Sequence, residues 1–149
     1  MKLQSSKIMM FVLIGVLFLS VSFVYADTAA EAYKYYHRGL VDEEKDNYGQ
    51  AISDYTKAIK LQPNYQMAYY NRGNVYYKQG NYIQAISDFN KVIEINRGWE
   101  KPYYNRSSAY YMLKDYANAW QDVHKVESLG GEIDSQFLEK LKKASGRDK

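Results

Sequence analysis

From residue 32 to residue 131 the apolar positions follow a helical period that restarts at fixed intervals. Ala85, Ile86, Phe89, Val92 and Ile93 stand at i, i+1, i+4, i+7 and i+8 and make one stripe on a helix. The segment "AISDYTKAIKL" at 51–61 carries this stripe, returns 34 residues later as "AISDFNKVIEI" at 85–95, and returns in weaker form as "AWQDVHKVESL" at 119–129. Each is preceded by a tyrosine-rich helical stretch: "AYKYYHRGL" from Ala32, "AYYNRG" from Ala68 and "PYYNRS" from Pro102. The polar turns "DNY", "GNY" and "KDY" separate the two halves of each unit. The chain therefore predicts three helix pairs that must stack, because no single pair covers its own apolar stripe. Pro63–Asn64 ends one unit, with Asn64 expected to cap the next helix. Pro102 falls in a first helical turn, where its missing N–H is harmless.

The last unit differs. Ile59 and Ile93 are replaced by Glu127, and Gly130–Gly131 stops the helix. Asp134 or Ser135 can start another through "QFLEKLKKA", whose Ile133, Phe137, Leu138 and Leu141 form a short apolar face. This reads as a capping helix over the exposed side of the third unit, within a C-terminal region 132–149 that ends in a basic tail.

Three 34-residue units resemble the tetratricopeptide repeat (TPR) family, over about 32–65, 66–99 and 100–131. Counting each unit from Ala32, Gln66 and Glu100, the family's small residue at position 8 is Gly39, Gly73 and Ser107, and its alanine at position 20 is Ala51, Ala85 and Ala119. Position 24 is Tyr55, Phe89 and Val123; position 27 is Ala58, Val92 and Val126. Departures are Asp42 at position 11, where the other units have Tyr76 and Tyr110, and Arg97 and Gly131 where the first has Pro63. The resemblance implies an all-α, right-handed α-solenoid of three TPR helix pairs plus the C-terminal capping helix. It also implies a non-catalytic protein–protein interaction module.

The first 26 residues are of another kind. Lys2 and Lys7 precede an unbroken apolar or glycine run, Ile8–Leu19, and then "SVSFVYA". A basic start, a short apolar core and a small residue before the cut describe a signal peptide ending at Ala26. The run is short of the roughly 20 apolar residues that span a bilayer, so residues 8–24 as an uncleaved membrane anchor are the alternative. The expected location is exported, periplasmic or extracellular. Over the whole chain 20 basic residues face 17 acidic ones; without Lys2 and Lys7 the balance is 18 to 17, or +1. A near-neutral domain offers no electrostatic footprint for nucleic acid. The absence of cysteine excludes disulfides, thiolate metal sites and a lipidated cysteine.

The stretches "YYNRGNVYY" at 69–77 and "YYNRSSAYY" at 103–111 hold the candidate chemistry. Neighbouring helical residues point about 100° apart, so the two tyrosines of a pair have different surroundings. Tyr69, Tyr76, Tyr103 and Tyr110 are expected to pack inward. In the family, positions 2, 5, 6, 9, 12 and 13 face a concave groove. The resemblance thereby places at the groove Tyr33, Leu40, Glu43, Glu44, Met67, Lys78 and Met112, and among the residues at these positions it assigns to peptide binding Tyr36, His37, Tyr70, Asn71, Asn74, Tyr77, Lys101, Tyr104, Asn105, Ser108 and Tyr111. Tyrosine gives large area with few rotors and a polar tip. Asn71 and Asn105 either bond a peptide's backbone amides or bond their own scaffold. The carboxylate clamp of some relatives is not reproduced: its positions hold Tyr36, Leu40, Asn71, Lys101 and Asn105, of which only Asn71 and Lys101 match. Arg38, Arg72 and Arg106 recur at position 7 and are expected to meet Asp54, Asp88 and Asp122. Neither His37 nor His124 has a metal-ligand partner at useful spacing. No phosphate loop, nucleophile elbow or metalloprotease motif occurs. The expectation is an exported adaptor, without cofactor, that binds a protein or peptide partner. A structural or self-assembling subunit of an envelope complex is the alternative.

Overall fold

The computed structural model describes residues 27–146. The signal or anchor assigned to residues 1–26 lies outside them. Helix α1 covers 27–44 and is followed by α2 (Tyr48–Leu61), α3 (Gln66–Lys78), α4 (Tyr82–Ile95), α5 (Glu100–Met112), α6 (Tyr116–Ser128) and α7 (Ser135–Ser145). No strand is present among the described residues, and none of their helices is long and apolar enough to cross a membrane. Each helix packs on the next in chain order, giving an all-α solenoid of three helix pairs closed at one end by α7.

The pairs are held close by size matching. A Cβ built on Gly39 would stand 2.6 Å from the Tyr55 ring, and one on Gly73 would stand 2.8 Å from the Phe89 ring. Both rings are fully buried. In the third unit the position-8 residue gains a side chain, Ser107, and the ring opposite shrinks to Val123; both are buried. Close packing requires such an exchange, because a crowded core has no slack for an added atom.

The turns inside the units are equivalent. Asp46, Gly80 and Lys114 each hold a left-handed φ, 58°, 78° and 61°. Around each, the two hydrogen bonds of a Schellman motif close the helix end, as in Asn81 N–H to Tyr76 O at 2.9 Å and Gly80 N–H to Tyr77 O at 2.9 Å. Asp46 and Lys114 occupy the left-handed position without glycine's freedom, at about 1 kcal/mol each. Asp134 caps α7 by accepting from Phe137 N–H at 2.8 Å. Asn64 does not cap α3: the cap position is Tyr65, with no side-chain bond, because helix α3 starts at Gln66.

One ionic motif repeats through the stack. Arg72 donates to both carboxylate oxygens of Asp88, at 2.8 and 2.7 Å, and Arg106 to both of Asp122, at 2.8 and 2.6 Å. Arg38 pairs with Asp54 in the same manner. All three aspartates are buried. The guanidiniums lie near aromatic rings, Arg72 with Tyr69 and Tyr76, Arg106 with Tyr103 and Tyr110. A further N–H of Arg72 reaches Thr56 Oγ1 at 2.8 Å, and one of Arg106 reaches Asn90 Oδ1 at 2.5 Å. Arg72 and Arg106 thus each tie their own helix pair together and join it to the preceding pair.

The expected inward packing of the first tyrosines holds only in part. Tyr103 is buried and Tyr104 half-buried, but Tyr69 and Tyr70 are both half-buried, and in the first unit Tyr36 is the buried member while Tyr35 is half-buried. Tyr69 and Tyr103 flank their guanidiniums alike, at 5.5 Å from Arg72 and Arg106, and only Tyr103 is buried.

Removing Arg72 strands a buried carboxylate, so Arg72→Ala is expected to cost about 3 kcal/mol in urea unfolding. Arg38→Ala should cost clearly less, because the Arg38 side chain is half exposed and Asp54 keeps Lys57 at 3.6 Å and Gln50 at 3.4 Å. Equal losses would remove the case for coupling between units.

Candidate functional site

Helices α1, α3 and α5 line one side of the solenoid. Between them lies an open cleft of about 470 Å³, bordered by Glu43, Asn74, Tyr77, Lys78, Tyr104, Asn105 and Ser108. Five of the eleven residues assigned to a groove therefore meet at one cleft: Asn74, Tyr77, Tyr104, Asn105 and Ser108. Glu43 and Lys78 join them as an ion pair at 2.8 Å, and the second oxygen of Glu43 accepts from the Tyr55 hydroxyl at 2.9 Å. Burial pushes the Tyr77 and Tyr104 phenols up from their ordinary value, so both keep their protons at neutral pH and remain donors.

The other six do other work or stand apart. Tyr36 is 9% exposed and belongs to the core with Tyr55, Ala68 and Val75, which corrects its assignment to the groove. Tyr65 packs on its ring at a centroid distance of 5.0 Å, and its hydroxyl accepts from Asn71 Nδ2 at 3.1 Å. Tyr70 repeats the arrangement: Trp99 packs on it at 4.5 Å and Asn105 Nδ2 donates to its hydroxyl at 3.1 Å. Tyr111 packs between Tyr116 and Phe137. His37 is exposed beside Tyr33 and Tyr36, and Lys101 is exposed outside the cleft.

The asparagines thus bond their own scaffold. Each donates to the tyrosine hydroxyl of the preceding unit, and Asn105 also donates to Asn74 Oδ1 at 2.7 Å. Both Asn74 and Asn105 line the cleft with Tyr77 and Tyr104, and the bond from Asn105 Nδ2 to Asn74 Oδ1 leaves the Asn105 carbonyl oxygen as an acceptor and the Asn74 amide as a donor. A donor and an acceptor side by side complement a peptide amide better than a carboxylate. Sequence reasoning passed over Tyr65 and Trp99. The signal was available: an aromatic stands immediately before α3 and again before α5, 34 residues apart.

The periodic geometry agrees with the comparison of the chain with family models. The tetratricopeptide repeat model matches residues 67–98, and a second model described as TPR repeat matches 39–80. Residues 39–98 of the chain thus carry tetratricopeptide repeats.

Among solved TPR structures, the first TPR of Spaghetti (RPAP3), bound to the HSP90 peptide SRMEEVD, is 25% identical with TM-score 0.71, over 79% of this chain and 93% of that one. The second TPR of Spaghetti, with the same peptide, is 25% identical with TM-score 0.67, over 70% and 96%. The TPR2B domain of yeast Sti1, in its pHsp70 complex, is 24% identical with TM-score 0.69, over 79% and 98%; that likeness bears on the fold. No curated protein matches the chain. As a TPR protein the chain has the architecture of a protein-interaction module. Its cleft falls on the tyrosine-rich first helices of the three repeats, the face that the family resemblance singles out.

Proposed function

We propose that this TPR protein is an exported, non-catalytic adaptor that holds an extended segment of a partner protein in the cleft between α1, α3 and α5. The observation that carries the reading is the cleft itself, concave, partly aromatic, and presenting the Asn74 donors beside the Asn105 acceptor. A solved relative with a bound peptide supports it. The pattern of residues 1–26 supports export.

The partner segment is bound through backbone amides and flat apolar side chains, not through a terminal carboxylate. Lys78 is neutralised by Glu43, and the positions that would complete a carboxylate clamp hold Tyr36, Leu40 and Asn105. One exposed lysine, Lys101, is a poor substitute for a bidentate arginine.

A photocrosslinking amino acid at Ser108, in the cleft, should capture a partner in the native host, whereas one at Ile83, exposed at 71% and outside the cleft, should not. Asn74→Ala in the Ser108 background should reduce the adduct about tenfold, the effect of one lost hydrogen bond of about 1.4 kcal/mol. Equal capture from both positions would count against the groove.

The carboxylate argument has its own check. The peptide SRMEEVD and its C-terminal amide should bind equally, and weakly, by fluorescence anisotropy. A preference for the free acid of tenfold or more would restore a clamp. Export is tested by sequencing the mature N-terminus, which should begin at Asp27; an intact residue 1 would favour the anchor.

A further inference from the structure

The two ends of the solenoid are finished differently. At the C-terminal end, α7 covers the third repeat: Leu141 is fully buried, Phe137 packs on Tyr104 and Tyr111, and the Trp120 N–H donates to Ser145 Oγ at 3.0 Å. The outward residues Gln136, Glu139, Lys140, Lys142 and Lys143 are exposed and polar. Among the described residues the N-terminal end has no such cover, yet α1 keeps the residues by which α3 and α5 bind the helix before them.

Equivalent positions make this quantitative. Position 10 is Val75 and Ala109 in the second and third repeats, both at 0% exposure, but Val41 in the first, at 46%. The position-7 side chains of Arg72 and Arg106 are 15% and 19% exposed, that of Arg38 48%. Arg72 and Arg106 give an N–H to the preceding repeat, at Thr56 and Asn90; Arg38 has Asp54 but no such neighbour among the described residues. Residues 62–65 and 96–99 turn between helices, whereas their equivalents at 28–31 are helical, so the described residues hold no inter-repeat turn ahead of α1.

We propose that the outer face of α1, centred on Arg38 and Val41, docks an amphipathic helix of another protein. The stack itself specifies the helix. The segments that satisfy α3 and α5 share one pattern: Ile52, Thr56 and Ile59, then Ile86, Asn90 and Ile93. That is an apolar residue, a hydroxyl or carboxamide four residues later, and an apolar residue three further on. The oxygen meets the arginine, and in the first of these segments Ile52 and Ile59 pack against the buried cluster that holds Val75, at position 10. The chain's own last repeat breaks the pattern, with Trp120, His124 and Glu127, and lies under α7, so head-to-tail stacking of copies does not fill the site.

The test uses the exported chain and a helix-stabilised peptide of residues 82–95, which carries the Ile86, Asn90 and Ile93 pattern. Binding should shift the amide resonances of Val41 and Arg38. Val41→Asp on the chain and Asn90→Ala on the peptide should each weaken it about tenfold or more, while Ser108→Lys in the groove leaves it unchanged. Val41 is exposed, so its substitution should not disturb the fold; an unchanged melting curve checks that. Three results would overturn the proposal: no binding at millimolar peptide, binding indifferent to Val41→Asp, or a stable dimer by sedimentation that Val41→Asp dissociates, which would assign the face to a second copy.

Discussion

The architecture depends on a buried arginine–aspartate fork that recurs in each repeat. A guanidinium carries five N–H groups in a rigid plane, so its partners must occupy fixed directions. Arg72 gives two to Asp88 within its own helix pair and one to Thr56 of the pair before it; Arg106 does the same with Asp122 and Asn90. Desolvation makes such a pair a weak source of net stability. Its geometric demand is strong. A repeat rotated by one residue would lose either the intra-repeat fork or the bond to its neighbour, so the fork fixes how successive pairs sit.

The groove inherits its shape from that register. Once α3 is set against α2, Asn71 comes within hydrogen-bonding distance of the Tyr36 hydroxyl; once α5 is set against α4, Asn105 meets both Tyr70 and Asn74. The aromatic residues that precede the helices, Tyr65 and Trp99, then pack on the same tyrosines. Of these side chains Asn74 and Asn105 line the cleft, together with Tyr77, Tyr104 and Ser108. The doubled tyrosines therefore serve three purposes: flanking the arginine, accepting from the asparagine of the next repeat and lining the cleft.

How much of this the sequence disclosed follows from what each signal measures. A 34-residue period reports repeating local conformation, and it revealed the helix pairs, the glycine contacts at Gly39 and Gly73 and the arginine–aspartate partners, because all recur in register. Helical phase separated the two tyrosines of each pair, and the family resemblance pointed to the side of α3 and α5 that holds Asn74, Tyr77, Tyr104, Asn105 and Ser108. It could not separate Tyr36 from Tyr104, since both stand at position 5. What separates them is the loop residue that follows: Tyr65 covers the first, whereas the second meets Phe137 of α7 and stays half-buried. The role of Asn71 and Asn105 was likewise beyond a single helix, because their acceptors lie in the preceding repeat.

The two surfaces left open differ in what they can recognise. In the groove the strong charges are already paired, Glu43 with Lys78, and what remains is an amide-like mixture of donors and acceptors over aromatic rings. Such a surface follows a backbone and discriminates weakly among side chains. At the outer face of α1 the arginine fork is two-thirds satisfied and held in place by Asp54, and an apolar position lies bare beside it. A fixed donor next to an apolar contact selects by position, since a helix must bring its oxygen and its apolar residues into register together. On the two proposals above, one fold offers a permissive site along its length and an exacting one at its end, and both arise from the same inter-repeat contacts, completed in one case by neighbouring repeats and in the other left without them among the described residues.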